Sequence, residues 1–365
     1  MKNFTPATNS RTLVAMSGGV DSAVAALILK RAGLNIEGAF MKNWINEDSI
    51  AGDCPWQQDL EDARRAAEIL EIPFRVVNLM REYRQRVVEY LLAGYAASET
   101  PNPDVMCNRE IKFGVFADIA KEEGFDYVAT GHYCRRMDGA TGPELWEGVD
   151  KSKDQSYFLA LLSQSQLVNA VFPIGEIPKS DVRAMAAEAG LQVATKKDSQ
   201  GICFVGQVKM RDFLQAYLPN APGNVVNPEG KVVGRHQGIH LYTIGQRRGV
   251  GVASNQHGMA YVVIAKRPES NELVVALETE TTPGLWGSSA VLTQLSWLAD
   301  APEADERLDV RVRYRAPRTK ATWQNTPDAP SVIFDEPQRA LAIGQICALH
   351  RGEQMIGGGV YQQIK

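Results

Sequence analysis

An apolar, β-branched run, Thr12-Leu-Val-Ala-Met16, leads into Ser17-Gly18-Gly19-Val20-Asp21-Ser22 and then into a strong helix-forming stretch over residues 23–31 that Gly33 stops. That order predicts a strand, a tight glycine turn and a helix. The alternation continues with a run ending at Phe40-Met41, a helical period over about 58–70, a strand over 74–79 and a helix over about 83–97. A loop over 99–108, a helix to about 123 and a strand over 127–130 ending in Gly131-His132 follow. Strands spaced by helices of this length predict an α/β domain with a doubly wound, mostly parallel sheet. Residues 163–190 read as helical, with Pro178 opening a second helix that closes on Gly190. From about Val225 the pattern changes to short β-rich runs with Gly, Pro and Asn turns, which predicts one or two small sheets or barrels. Breaks near 206 and at Thr281-Thr-Pro-Gly284 divide the chain into 1–206, 207–283 and 284–365.

The first turn carries the first chemistry. Two adjacent glycines let successive amides point into one concavity, and the following helix adds its unpaired N–H groups and positive dipole end. The predicted ligand is an anion, most naturally phosphate. No Gly-Lys-Ser/Thr follows, so the loop is not a Walker A motif, and the spacing of a dinucleotide fingerprint is missing. A glycine turn after a first strand also serves as a plain connection; Ser17, which faces the same pocket, and Asp21 or Ser22, as caps of the helix, weigh against that. Ligands of doubly wound sheets lie at the carboxyl ends of the strands. The glycine loop, Phe40-Met41-Lys42 and Gly131-His132-Tyr133 should therefore converge.

Composition changes little of this. The 365 residues, 44% hydrophobic and 22% charged, describe an ordinary soluble protein with room for two or three cores. No apolar stretch reaches spanning length and the first residues lack an apolar leader, so a cytoplasmic, membrane-free setting is expected. With a net charge of −4, any grip on nucleic acid must come from local patches. Five scattered cysteines, with no paired spacing, speak against a disulfide scaffold or a zinc site, and no metal ligand set is expected.

Among the cysteines, Cys107 follows Asp104 by three residues and precedes a helical segment carrying Arg109 and Lys112. A thiol at a helix N-terminus near cations should have a lowered pKa; the alternative is a small buried side chain. Cys203 lies in the polar run Lys197-Asp-Ser-Gln-Gly-Ile-Cys-Phe204, which suits an accessible loop, and Cys54 is also in a polar loop. Cys134 follows a strand end, and Cys347 reads as packing. Lys151-Ser-Lys-Asp-Gln-Ser-Tyr157 is either a capped helix start or a sugar-phosphate contact. Strand alternation over residues 308–315 would put Arg311, Arg313 and Arg315 on one face, continued by Arg318 and Lys320. Such a row is a solvated face or a grip on phosphates.

With these residues in view, the chain resembles the tRNA-specific 2-thiouridylases, members of the PP-loop ATP-pyrophosphatase superfamily, over nearly its whole length. The matching motifs are Met16-Ser-Gly-Gly-Val-Asp-Ser22, Phe40-Met-Lys-Asn-Trp44, Thr100-Pro-Asn-Pro-Asp-Val-Met-Cys-Asn108, Thr130-Gly-His-Tyr133, Lys153-Asp-Gln-Ser-Tyr157, the Cys203 run, Gly245-Gln-Arg-Arg-Gly249 and Arg313-Tyr314. The resemblance implies an ATP-pyrophosphatase domain, a small central domain and a C-terminal β-barrel that binds tRNA. It implies ATP contacts from Ala15, Met16, Ser17, Gly18, Gly19, Val20, Asp21, Ser22, Met41 and Gly131. It implies Cys107 as nucleophile and Cys203 as persulfide carrier, able to form a transient disulfide with each other. Asn102, Pro103 and Asp104 would approach the target base, and His132, Lys153, Asp154, Gln155, Arg313, Tyr314 and Gln345 would touch tRNA.

The activity so implied is ATP-dependent 2-thiolation of the wobble uridine, position 34. The C2 oxygen is a poor leaving group; adenylation makes it a good one, with Mg²⁺ accompanying the ATP, and sulfur arrives from a persulfide fed by a relay protein or cysteine desulfurase. Asp104 is the expected general acid/base. Two alternatives share parts of this pattern. An ATP-pyrophosphatase ligase that adenylates a small substrate would need neither Cys107 nor Cys203, and a non-catalytic RNA-binding protein would use ATP only as a structural ligand.

Overall fold

A computed structural model of the chain describes residues 3–44, 56–197, 210–252, 259–326 and 329–365. The N-terminal unit runs β1 (Arg11–Ala15), α1 (Val20–Arg31), β2 (Asn35–Lys42), α2 (Trp56–Ile69), β3 (Phe74–Asn78), α3 (Met80–Tyr83), α4 (Glu89–Ala96), α5 (Pro103–Met106), α6 (Phe116–Glu122) and β4 (Tyr127–Ala129). It continues through a hairpin, β5 (Cys134–Asp138) and β6 (Pro143–Glu147), to α7 (Gln164–Val168), β7 (Ala170–Val171) and α8 (Lys179–Glu188). Its five-stranded sheet is parallel throughout, in the order β3-β2-β1-β4-β7. The order reverses at β1, whose neighbours are β2 and β4, so the glycine turn after β1 stands at the topological switch point. The expected doubly wound sheet is present. Residues 163–190 are not continuously helical, because β7 lies between the two helices.

Both sheet faces are buried, which is why the strands read as apolar runs. One core joins α1, α2 and α8 to the sheet through Val24, Leu27, Ala63, Ala67 and Val182. The other joins α3, α4 and α6 through Tyr83, Val88, Leu91 and Phe116. The second core also receives Phe213 and Leu214 of α9 (Met210–Tyr217), a helix that follows the expected boundary near 206.

Beyond α9, β8 (Gly223–Val226), β9 (Val232–His236), β10 (Tyr261–Arg267) and β11 (Glu272–Leu277) form a four-stranded sheet. The last strands are β12 (Trp286–Trp297), β13 (Arg307–Arg311), β14 (Thr319–Gln324), β15 (Ser331–Arg339), β16 (Ile346–Arg351) and β17 (Gln354–Ile364). They pair in the order β12-β15-β14-β13-β16-β17, and β12 also pairs with β17, which closes the barrel. The β5–β6 hairpin, in sequence part of the first unit, adds to β17 of the barrel through β6. Among the described residues no helix is long and apolar enough to cross a membrane.

Candidate active site

The glycine loop is held by one hydroxyl. Ser22 Oγ accepts from Ser17 N–H at 3.1 Å, donates to the Gly19 carbonyl at 3.1 Å and lies 3.2 Å from Ser17 Oγ. Gly18 has φ 75°, a conformation glycine adopts at little cost, and a Cβ there would run into the Asp59 carbonyl at the start of α2. Gly19 is the N-cap of α1, with no side-chain cap, so the expected capping by Asp21 or Ser22 does not occur. The first amides of α1 have no intrahelical acceptor and face the turn. Ser17 is exposed, whereas Ala15, Met16 and Val20 are buried beneath it.

The strand ends converge as expected. Met41, at the end of β2, is buried, and Gly131, just past β4, lies so close to α1 that a Cβ would stand 2.6 Å from the Ser22 nitrogen. Two lysines from far along the chain also come to the loop. Lys179, the first residue of α8, places Nζ 2.7 and 2.8 Å from the two carboxylate oxygens of Asp21, which also accepts from the Tyr133 hydroxyl at 2.7 Å. Lys196 Nζ donates to the Gly18 carbonyl at 2.9 Å, to Asp59 at 2.7 Å and to Asp62 at 2.5 Å. Burial opposes its charge, but the two carboxylates raise its pKa above the ordinary lysine value. Neither lysine is part of the loop motif. One signal was present for Lys179: a cation at the first position of a helix opposes the helix dipole, and Asp21 compensates it.

Glycine turn, open helix end and exposed hydroxyl suit a phosphate group, and the two lysines offset the carboxylates of Asp21, Asp59 and Asp62 beside it. Met41 and Gly131 stand at the neighbouring strand ends.

Asn102 caps α5: its Oδ1 accepts from Val105 N–H at 3.2 Å, and Pro103 occupies the first turn. Helix α5 continues into a π-helical stretch over Cys107–Val115 that kinks at Gly114. Cys107 therefore lies one turn inside the helix, not at its N-terminus, and is buried in the same apolar cluster as Ala15 and Met41. Arg109 is engaged with Glu110 at 2.8 Å. Of the two readings of Cys107, an activated thiol near a helix N-terminus and a small buried side chain, the structure shows a buried side chain one turn into the helix. Asp104, one helical turn before it, is half-buried. Cys54 and Cys203 lie outside the described residues, and with Cys203 so does the expected Cys107–Cys203 disulfide. Cys134 and Cys347 are buried; burial, with Asp154 nearby, pushes the Cys134 thiol well up, and burial pushes Cys347 up to about 12.

The loop that precedes α5 is pinned to both other units. Thr100 N–H donates to the Ile343 carbonyl at 2.8 Å, and Gln345 Nε2 donates to the Thr100 carbonyl at 2.9 Å. Thr100 Oγ1 meets Thr243 Oγ1 of the central unit at 3.3 Å. Beside this junction a cleft of about 230 Å³ is lined by Thr243, Ile244, Val312, Arg313, Arg339, Ala340, Leu341, Ala342 and Gln345. Gln345 and Arg313 thus share one surface.

The arginine row is corrected. Strand β13 ends at Arg311 and the chain turns, with Arg315 at φ 63°, so the three arginines do not share a face. Arg311 points inward: Nη1 donates to Asp154 at 2.7 Å and Nη2 to Glu147 at 2.7 Å, both carboxylates being buried. Arg318 is drawn to Glu147 and Lys320 to Asp309. Arg313 and Arg315 are exposed, and Tyr314 stacks on Phe158 with centroids 4.3 Å apart.

Two further expected RNA contacts are likewise turned inward. Asp154 accepts from Arg311, Gly148 N, Ser156 N and Ser156 Oγ, and so has no surface for an RNA. His132 is buried against Phe113 and Phe172, with Nδ1 2.7 Å from Thr130 Oγ1. Burial, helped by Lys112, holds its pKa well below the ordinary imidazole value. Lys153 and Gln155 remain partly exposed.

Residues 10–207 match the family described as tRNA methyl transferase HUP domain, 211–277 the tRNA methyl transferase PRC-barrel domain, and 288–361 the aminomethyltransferase beta-barrel domain. A protein of Akkermansia muciniphila named tRNA-specific 2-thiouridylase MnmA is 51% identical over 358 residues, 98% of this chain and 99% of that one. A protein of the same name from Alkaliphilus oremlandii is 43% identical and covers 98% of each chain. A solved 4-thiouridine synthetase–RNA complex with bound ATP overlaps at a TM-score of 0.35 and 17% identity, over 54% of this chain and 46% of that one, too slightly to bear on the site.

Proposed function

Because the chain belongs to the tRNA-specific 2-thiouridylase family, we propose that it is a tRNA-uridine 2-sulfurtransferase that replaces the C2 oxygen of the wobble uridine, position 34, with sulfur at the expense of ATP. The domain descriptions speak of methyl transfer, but the near-full-length relatives are named for sulfur. The observation that carries the reading is that Cys107 belongs to one buried cluster with Ala15 and Met41, which stand at the ends of the strands β1 and β2 where the candidate phosphate turn begins. A thiol and a polyphosphate cradle placed side by side serve a reaction that activates an oxygen and then displaces it with sulfur.

ATP, entering with Mg²⁺, supplies the leaving group that the C2 oxygen lacks. The chain's own residues do the rest. The amides of residues 18–20 and the Ser17 hydroxyl bind the phosphates, Ser22 holds the turn in shape, Lys179 and Lys196 offset the carboxylates of Asp21, Asp59 and Asp62 beside it, and Met41 and Gly131 border the nucleoside. Asn102, Pro103 and Asp104 orient the uridine, and Asp104 moves the proton. Cys203 delivers sulfur as a persulfide received from a relay protein or cysteine desulfurase in the cytoplasm, and Cys107 is the partner thiol. Lys153, Gln155, Arg313, Tyr314 and Gln345 hold the tRNA, by charge and by stacking. The expected bond between Cys107 and Cys203 is proposed to form transiently within the cycle. For Cys107, which is buried, this requires the thiol to become accessible when tRNA binds.

The test is single-residue. With persulfide supplied, Cys107→Ser and Cys203→Ser should each abolish thiolation while tRNA binding persists. Full thiolation by either variant removes that cysteine from the reaction.

A further inference from the structure

The turn that carries Lys153 and Gln155 is joined to the glycine loop through one side chain. Gln155 grips the backbone of Tyr133 twice: its N–H donates to the Tyr133 carbonyl at 2.9 Å, and its Oε1 accepts from the Tyr133 N–H at 3.1 Å. Gly148 closes another side, since a Cβ there would stand 2.8 Å from the Tyr133 carbonyl oxygen. Gly148 N–H is in turn held by Asp154 Oδ1 at 3.0 Å, and Asp154 is held by Arg311 of the barrel at 2.7 Å. Tyr133 therefore moves only with the turn that holds it. Its ring is buried, and its hydroxyl reaches out of this grip to donate to Asp21 Oδ1 at 2.7 Å, in the first turn of α1.

We propose that Tyr133 is a positioning residue that couples the two binding regions: RNA seated on the 153–155 turn fixes Tyr133, whose hydroxyl then sets the orientation of Asp21 and of the phosphate-binding turn around it. This rests on the reading that the protein binds ATP at the glycine loop and tRNA at that turn. Asp21 has a second partner, Lys179, at 2.7 and 2.8 Å. The Lys179 ammonium holds both carboxylate oxygens from α8, whereas the Tyr133 hydroxyl is the link that ties one of them to the 153–155 turn. Loss of the hydroxyl alone leaves Asp21 paired and the ring packed. It removes the directional link and spares the fold. A shared element whose position both ligands bias is what makes two sites cooperative, and the cooperativity must be equal in both directions.

The experiment is a binding cycle on the full chain. The Kd of a non-hydrolysable ATP analogue with Mg²⁺ is measured with and without saturating unmodified tRNA, for the wild-type protein and for Tyr133→Phe. In the wild type tRNA should tighten the analogue by about 10-fold, within the usual range of such couplings. In Tyr133→Phe the factor should fall below about 2-fold, a coupling of less than about 0.4 kcal/mol, while each ligand alone binds about as before. The analogue should tighten tRNA by the same factor as tRNA tightens the analogue. A factor kept in Tyr133→Phe, or a factor of one in the wild type, overturns the coupling and leaves the functional reading standing. A wild-type protein that binds only one of the two ligands, or neither, overturns that reading and the coupling with it.

Discussion

In the proposed phosphate cradle, residues 16–22, the groups on offer are backbone amides, shaped by Gly18, Gly131 and a single serine hydroxyl. In the proposed tRNA surface, Lys153, Gln155, Arg313, Tyr314 and Gln345, they are side chains from two separate units, and a buried ion cluster joins those units. In that cluster Arg311 joins Asp154 and Glu147, and Lys151 adds to Glu147 at 3.0 Å. A backbone cradle fails when one Cβ intrudes on it. A surface of side chains tolerates single losses but depends on the scaffold behind it.

The contrast is tested most severely at Arg311. Arg311→Ala leaves two buried carboxylates without their shared cation and should cost about 3–5 kcal/mol of stability, read as a lower denaturant midpoint. A change under about 1 kcal/mol would show that the RNA-facing side chains need no such scaffold. Next in size, Gly18→Ala should weaken nucleotide binding by about 30-fold, or about 2 kcal/mol, because the new Cβ meets the Asp59 carbonyl at a positive φ. Titration calorimetry with an ATP analogue reads it. Unchanged affinity would mean that the turn is not the cradle.

Acid should act on the scaffold more than on the cradle. His350 is buried, and burial, with Arg311, Arg318 and Lys151, holds its pKa well below the ordinary imidazole value. Glu147, 3.9 Å away, pulls the other way, but it is already paired to Arg311 and Lys151. The unfolded chain binds the proton first, so stability present above about pH 6.5 is lost as pH falls, by up to about 1.4 kcal/mol per pH unit for each such histidine. His350→Gln should flatten the denaturant midpoint's dependence on pH between roughly 6.5 and 5. An unaltered slope would assign the acid sensitivity elsewhere, with His132 as the next candidate. The smallest effect belongs to the exposed Arg313: Arg313→Ala should leave stability within about 0.5 kcal/mol and reduce the salt slope of tRNA binding by about one.

The parts of this arrangement that could be read in the sequence are those that neighbouring residues determine. A strand, two glycines and a helix follow one another within twenty residues, and the alternation of apolar runs predicts the parallel sheet and hence which loops meet. The pairing of the lysines with the loop could not be read, because Lys179 and Asp21 are 158 residues apart in the chain, and Lys196 and Gly18 are 178; only the cation at the start of α8 was out of place locally. The arginine row failed for a local reason. Alternation holds only while a strand lasts, and β13 stops at Arg311; Pro317, two residues after Arg315, was the available sign of a turn. Cys107 shows a third limit, since its position inside a helix follows from the Asn102 cap and Pro103, but its burial belongs to a cluster to which α3, α4 and α9, distant in sequence, also contribute.

If loop and thiol serve one reaction, unmodified tRNA incubated with the protein, ATP, Mg²⁺ and a persulfide donor, then digested to nucleosides and analysed by mass, should show one oxygen exchanged for sulfur at the wobble uridine, dependent on ATP. ATP cleavage that leaves every uridine unthiolated, or tRNA binding with no chemistry at all, would separate the loop and the thiol from that reaction.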